Sequence, residues 1–238
     1  MAADSDQRAA ILGSIRRGLG RGPLPADQRA MIDGRIASHP RQLIPARTAL
    51  DHPGLLRLFT ELAEQQFTTI ARIDSRESLP RAIAEYLRGL NLPMEAVIAP
   101  HPKLQPLDWT GETPLSVRFG HAGPEDVVSV QEGFAGIAET GTLMLPSGAA
   151  TPTTLNLLPD TAIVALEADR VFGPYEDAFD LLRREQGGAD GRFMPRNVML
   201  VTGPSRSADI ERTLELGAHG PRRLHVVLIG APYADPPA

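Results

Sequence analysis

The chain of 238 residues contains no cysteine. That excludes disulfides, thiolate nucleophiles and thiolate-held metal or iron–sulfur centres within this chain. Lysine is almost absent too. Lys103 is the only one, so a cation that meets an anion here is nearly always an arginine, whose fork suits carboxylates and phosphates. No apolar run approaches the roughly 20 residues of a membrane span, and no apolar leader follows Met1, so a soluble cytoplasmic protein is expected. The formal net charge of −5 gives no reason to expect nucleic-acid binding. Also missing are a G-x-G-x-x-G fingerprint, a P-loop Gly-Lys-Ser/Thr, a G-x-S-x-G elbow and any H-x-x-x-H pair. Nothing therefore supports a dinucleotide cofactor, a nucleophilic serine of that type or a histidine metal site.

A hydrophobic content of 42% is ample for a core that needs no staples. Near the start, Leu12, Ile15 and Leu19 fall at i, i+3 and i+7, predicting an amphipathic helix from about Asp6 to Leu19. Gly20-Arg21-Gly22-Pro23 ends it. Residues 20–50 lack sustained periodicity and carry four prolines. With eight arginines and four aspartates, residues 1–50 hold +4 and the remainder −9. We read 1–50 as a basic arm that packs in cis, docks a partner or exchanges between protomers of a homo-oligomer.

Residues 51–238 read as one α/β domain. Leu55, Phe59, Leu62 and Ala63 form one helical face. Leu79, Ile83, Tyr86, Leu87 and Leu90 form another behind Ser78 and Pro80. Strands are expected at 67–71, 96–99, 115–119, 127–130, 161–166, 198–201 and 224–229, with helices at 175–184 and 208–216. Alternation of this kind implies a parallel sheet covered by helices.

Two stretches carry chemistry. Ile137-Ala138-Glu139-Thr140-Gly141-Thr142-Leu143-Met144-Leu145 places a carboxylate and two hydroxyls between strand-forming pieces. Glu139 is the candidate proton or acyl carrier, with Thr140, Gly141 and Thr142 as ligand contacts. A hairpin turn with Gly141 at positive φ accounts for the same residues. Thr202-Gly203-Pro204-Ser205-Arg206-Ser207 runs from a strand towards the expected helix, where free N–H groups favour anions. Gly203, Ser205, Arg206 and Ser207 are the candidate binders, although Ser207 as helix cap and Arg206 paired with Asp209 explain them equally. His219, between glycines in a turn, is either a ligand contact or a hydrogen-bonded turn residue.

These motifs resemble those of the LUD-domain, or lactate utilisation protein C, family. The resemblance rests on Ile137–Leu143, on Thr202-Gly203-Pro204-Ser205-Arg206-Ser207-Ala208-Asp209-Ile210-Glu211, and on Gly217-Ala218-His219-Gly220-Pro221 followed by Leu224-His225-Val226. Leu157-Leu158-Pro159 and the Ile11–Arg16 helix add to it, while Ser207 and Ala218 stand where threonine and valine are expected. The resemblance implies a Rossmann-like α/β sandwich similar to the glucosamine-phosphate isomerase, ribose-phosphate isomerase and CoA-transferase superfamily, with an N-terminal helical arm. It also implies a role in oxidising L-lactate to pyruvate beside partner proteins that carry the iron–sulfur clusters. This chain then holds no cofactor and binds a small anionic metabolite. Some CoA transferases use a glutamate nucleophile, and Glu139 looks similarly placed. A free-standing enzyme acting on a phosphorylated or CoA-linked compound, with Glu139 as nucleophile or base, therefore stays open. So does a module that assembles or regulates partners without chemistry.

Overall fold

The computed structural model describes residues 2–20, 22–111, 115–187, 194–208 and 214–230, and among the helices no span is long and apolar enough to cross a membrane. The chain divides into two compact units, Met1–Leu43 and Ile44–Ala238. The first holds helices α1 (Ala2–Gly18) and α2 (Ala26–Ser38). Helix α2 departs from the expectation of an irregular 20–50 segment. It buries none of its residues, and its exposed Met31, Ile32 and Ile36 are too few to read as sustained periodicity in the sequence. Pro25, already near helical φ at −54°, leads into a segment whose Ala, Gln, Arg and Met favour a helix while Gly34 opposes it.

The second unit is α/β with a parallel central sheet, a Rossmann-like arrangement. Six strands run in one direction: β1 (Thr69–Ile73), β2 (Glu95–Ile98), β3 (Ser116–Phe119), β4 (Val128–Glu132), β7 (Thr161–Glu167) and β12 (Arg223–Ile229). Their order across the sheet is β1-β12-β7-β4-β2-β3. The central strands are buried on both faces, which is why they read as unbroken apolar runs. Alternate residues serve different cores. Ile163, Ala165, Val227 and Ile229 pack with helix α4 (Leu79–Gly89) and Trp109 on one face. Ala162, Val164, Leu166, Val226 and Leu228 pack on the other with Phe59 of helix α3 (His52–Gln65) and with Leu143 and Leu145.

Those last two residues belong to a second sheet, comprising β5 (Ala135–Ile137), β6 (Thr142–Pro146), β8 (Val171–Phe172) and β9 (Val198–Val201). Its order is β8-β5-β6-β9. Helix α5 (Tyr175–Gln186) covers its far side through Ala178 and Leu182, against Ile137 and Met144. Hence β9, with its apolar run, pairs antiparallel to β6 and not within the parallel sheet.

One expected helix is absent as such. Where a helix over 208–216 was anticipated, β10 (Arg206–Ala208) pairs antiparallel with β11 (Leu214–Leu216). Residues 209–213, including the expected first-turn acids Asp209 and Glu211, lie outside the described residues. A nine-residue helix is marginal without tertiary cover, whereas Ser205 already ties this segment to the 217–221 turn. The Ser205 N–H donates to Pro221 O (2.8 Å) and Gly217 N–H donates to Ser205 O (3.1 Å). The anion-binding rationale from a helix N-terminus after Ser207 falls with that helix.

Strand β12 also buries a histidine. His225 stacks on Tyr86 with centroids 3.8 Å apart, shares a 2.8 Å hydrogen bond with Thr69 Oγ1, and leaves Nε2 without a partner. Burial pushes its pKa down to about 4, against a smaller raising effect from Thr69. The folded chain thus keeps His225 neutral while the unfolded chain protonates near the ordinary value of about 6.5. Between those values the unfolded state binds more protons, so stability falls as pH drops through the window, by about 3 kcal/mol for this group. Urea titrations at several pH values across it should show that loss, and His225→Phe, which keeps the stack, should lack it. Parallel profiles for parent and variant would refute the assignment.

Candidate functional site

Hairpin β5–β6 closes over Ala138–Gly141, and Gly141 sits at φ +66° as the turn requires. The Glu139 carboxylate is directed to the start of α5, where the Tyr175 N–H donates to its Oε2 (3.3 Å). A carboxylate is favourable there, since the first N–H groups of a helix lack intrahelical acceptors. The Glu139 backbone is held as well: its N–H donates to Gly173 O (3.0 Å), and Arg47 Nη2 donates to its carbonyl (3.0 Å).

Beside Glu139 lies a cluster of hydroxyls. Thr140 Oγ1 is 2.6 Å from Thr142 Oγ1 and 2.7 Å from the Tyr175 hydroxyl. Thr142 Oγ1 is also 2.7 Å from Thr202 Oγ1. The two sequence motifs therefore meet, and the meeting point is Thr142–Thr202. Tyr175 and Thr202 were not among the expected site residues. Thr202 opens the second motif, so adjacency to Gly203 was a usable signal, but nothing in the sequence links Tyr175 to Thr140. Four linked hydroxyls, with Thr202 joined through Thr142, can each donate or accept by rotation, which allows proton rearrangement along the chain.

The second motif lies differently from the expectation. Gly203 (φ +79°) faces the end of α3, where an added Cβ would stand 2.3 Å from Gln66 O. The Arg206 guanidinium lies 3.2 Å from the ring centroid of Phe67. Ser205 Oγ accepts from the His219 N–H at 3.1 Å, bringing those two candidates together. The Ser207 side chain is outside what the structure describes, although its backbone pairs with Glu215 in β10–β11.

A separate group of charges sits where an open α/β sheet offers binding space, at the carboxyl ends of its parallel strands. Glu132 ends β4 and Glu167 ends β7, while Arg76 follows β1 and His101 and Lys103 follow β2. Arg76 donates two parallel bonds to Glu132, both 2.8 Å, and reaches Glu167 Oε1 at 2.5 Å. Lys103 Nζ is 3.5 Å from both carboxylates. Burial lowers and the two glutamates raise the Arg76 pKa, with a net rise; burial raises Glu167, but Arg76 and Lys103 outweigh it and hold that carboxyl below its usual range. Burial likewise holds His101 below the ordinary imidazole value, partly opposed by Glu132. His101, Lys103, Glu132, Phe134, Arg170 and Glu185 line a cavity of about 210 Å³, which none of the sequence-predicted site residues lines. The available signal was positional: each glutamate is the last residue of its strand, Glu167 directly after an apolar run and Glu132 after Gln131. Among the described residues, no group of three or more histidines and carboxylates is placed to hold a metal ion.

Comparison with known proteins covers the same region. A LUD domain family model matches residues 131–229. Over 116 residues the chain is 36% identical to an uncharacterized protein of Neisseria meningitidis, covering 47% of this chain and 48% of that one. Over 130 residues it is 32% identical to lactate utilization protein C of Bacillus subtilis, covering 51% of this chain and 53% of that protein. The chain spans about half the length of these relatives. A crystal structure of a DUF162 family protein from Deinococcus radiodurans superposes with a TM-score of 0.57 at 24% identity, over 76% of this chain and 99% of that one, and supports the fold. Both sequence motifs fall within the matched segment, and residues 131–229 of the chain match the LUD domain.

Proposed function

We propose that this chain serves lactate utilisation, in the oxidation of L-lactate to pyruvate, as the component that carries no cluster and binds a small anionic ligand. The observation that supports this reading is the similarity to lactate utilization protein C of Bacillus subtilis together with the LUD domain match. With no cysteine to supply thiolates, the reading assigns iron–sulfur centres to partner proteins. It also places the parallel sheet in the isomerase and CoA-transferase superfamily named above. Within this reading Glu139 handles a proton. The hydroxyls of Thr140, Thr142, Tyr175 and Thr202 present donors, as do the Gly203–Ser207 loop and His219. Removing the chain from its host should abolish growth on L-lactate as sole carbon source and spare growth on pyruvate. Undiminished growth on lactate would overturn the role. Restoring Glu139→Gln in place of the parent should fail to rescue.

A further inference from the structure

We infer that the cavity at the carboxyl edge of the parallel sheet binds a small hydroxylated monocarboxylate, its carboxylate on Lys103 and its hydroxyl on Glu132. This rests on the proposed function for the class of ligand only, and the cavity is a site apart from the donors around Glu139.

Stability alone is a poor reason for this cluster. Glu132 is only 7% exposed, and taking a carboxylate and its guanidinium partner out of water commonly costs as much as their attraction returns. A buried charge network beside a cavity at strand ends is where binding sites are found.

The donors and acceptors then select the ligand. Arg76 is committed to Glu132 and Glu167, and Arg170 donates to both Glu185 oxygens and to Phe134 O. Lys103 differs. Its side chain is 44% exposed, and its 3.5 Å separations exceed the 2.7–2.9 Å of a close charge-assisted bond. It is the cation with donors to spare. The Lys103 N–H donates to His101 Nδ1 (3.3 Å), which leaves the neutral imidazole with Nε2–H as a second donor. Glu132 accepts one Arg76 bond on each oxygen and keeps lone pairs for a hydroxyl. Lys103 is already paired at 3.5 Å with Glu132 and Glu167, so an added anion must share it; a monoanion meets less repulsion from Glu132 and Glu185 than a dianionic phosphate would. Phe134 and Pro146 give an apolar wall, and about 210 Å³ suits a molecule of a few carbons.

Calorimetric titration of the purified full chain near neutral pH tests this. The probes are glycolate and L-lactate, with acetate and propionate as partners lacking the hydroxyl, and inorganic phosphate as the dianion. The hydroxy acids should bind about tenfold more tightly than acetate, propionate or phosphate. Lys103→Met, at a half-exposed site that should fold normally, should weaken them about tenfold or more. Glu85→Gln, an exposed position on α4 away from the cavity, should leave them unchanged. Equal affinity for hydroxylated and plain acids, binding that survives Lys103→Met, or binding lost in Glu85→Gln would each overturn the proposal, as would no binding by the parent. Growth on lactate is a separate readout, so failure here leaves the pathway role standing, and loss of that role leaves this site standing.

Discussion

Arg76→Met should cost the fold about 3–4 kcal/mol, because it strands two carboxylates that the guanidinium now satisfies. Glu132 loses both of its 2.8 Å bonds, and Glu167 loses contacts at 2.5 and 3.2 Å. Lys103 stays within 3.5 Å of each and recovers part of the loss, so the value belongs near the lower end for a broken buried pair. In a chain of this size that lowers the melting temperature by roughly 10 °C. The deficit should depend on pH, with a defined sign. In the parent, burial raises Glu167 but Arg76 and Lys103 hold it below the usual carboxylate range, so its contribution is present above that range and lost as pH falls through the folded pKa. In the variant, burial of Glu167 is no longer offset by Arg76, and acid relieves the repulsion there. The gap between parent and variant should therefore shrink as pH falls towards 4.5. Equilibrium urea unfolding at neutral pH and at about pH 5 measures it. A pH-independent gap would show that Arg76 acts by packing its stem. The double substitution Arg76→Met with Glu132→Leu should recover most of the stability, as apolar replacement of buried ion pairs commonly does.

The contrast between this network and the fold around it says what a sequence can display. Strands β2, β7 and β12 were legible because double-sided burial demands apolar residues in succession, and Val97-Ile98, Ile163–Leu166 and Val226–Ile229 meet that demand. Helices α3, α4 and α5 were legible through their single buried stripes. Helix α2 was not, since nothing in it is buried, and neither was β9's antiparallel place beside β6, since an apolar run does not name its neighbour. The Glu139 turn and its hydroxyls are close in sequence and could be singled out together. Arg76, Glu132 and Glu167 could not: Arg76 meets one glutamate across 56 positions and the other across 91. Only the parallel sheet order makes them neighbours.

Gly141→Ala should be the most damaging single substitution in the family motif, and for a reason unrelated to ligands. At φ +66° an alanine costs about 1 kcal/mol in backbone strain. Its Cβ would also stand 2.3 Å from Ala63 N and 2.6 Å from Leu62 C, inside the backbone of helix α3. That helix cannot retreat freely, because Phe59 and Ala63 are buried in the core between the two sheets. We expect a loss of about 4 kcal/mol, or no soluble protein at all. Gly203→Ala meets Gln66 O at 2.3 Å, but Gln66 is the exposed cap of α3 and can shift, so about 2 kcal/mol is expected. Gly230→Ala supplies the baseline, with φ +72° and nothing within 4 Å of the new Cβ, and should show the strain alone, about 1 kcal/mol. Urea midpoints for the three variants should fall in that order. If Gly141→Ala is no worse than Gly230→Ala, α3 does not press on the turn, and the open face of Gly141 is then free to be a ligand contact. If the order holds, Gly141 and Gly203 are the two points where the motif loops close on α3, and what the motif offers a ligand is its hydroxyls and Glu139.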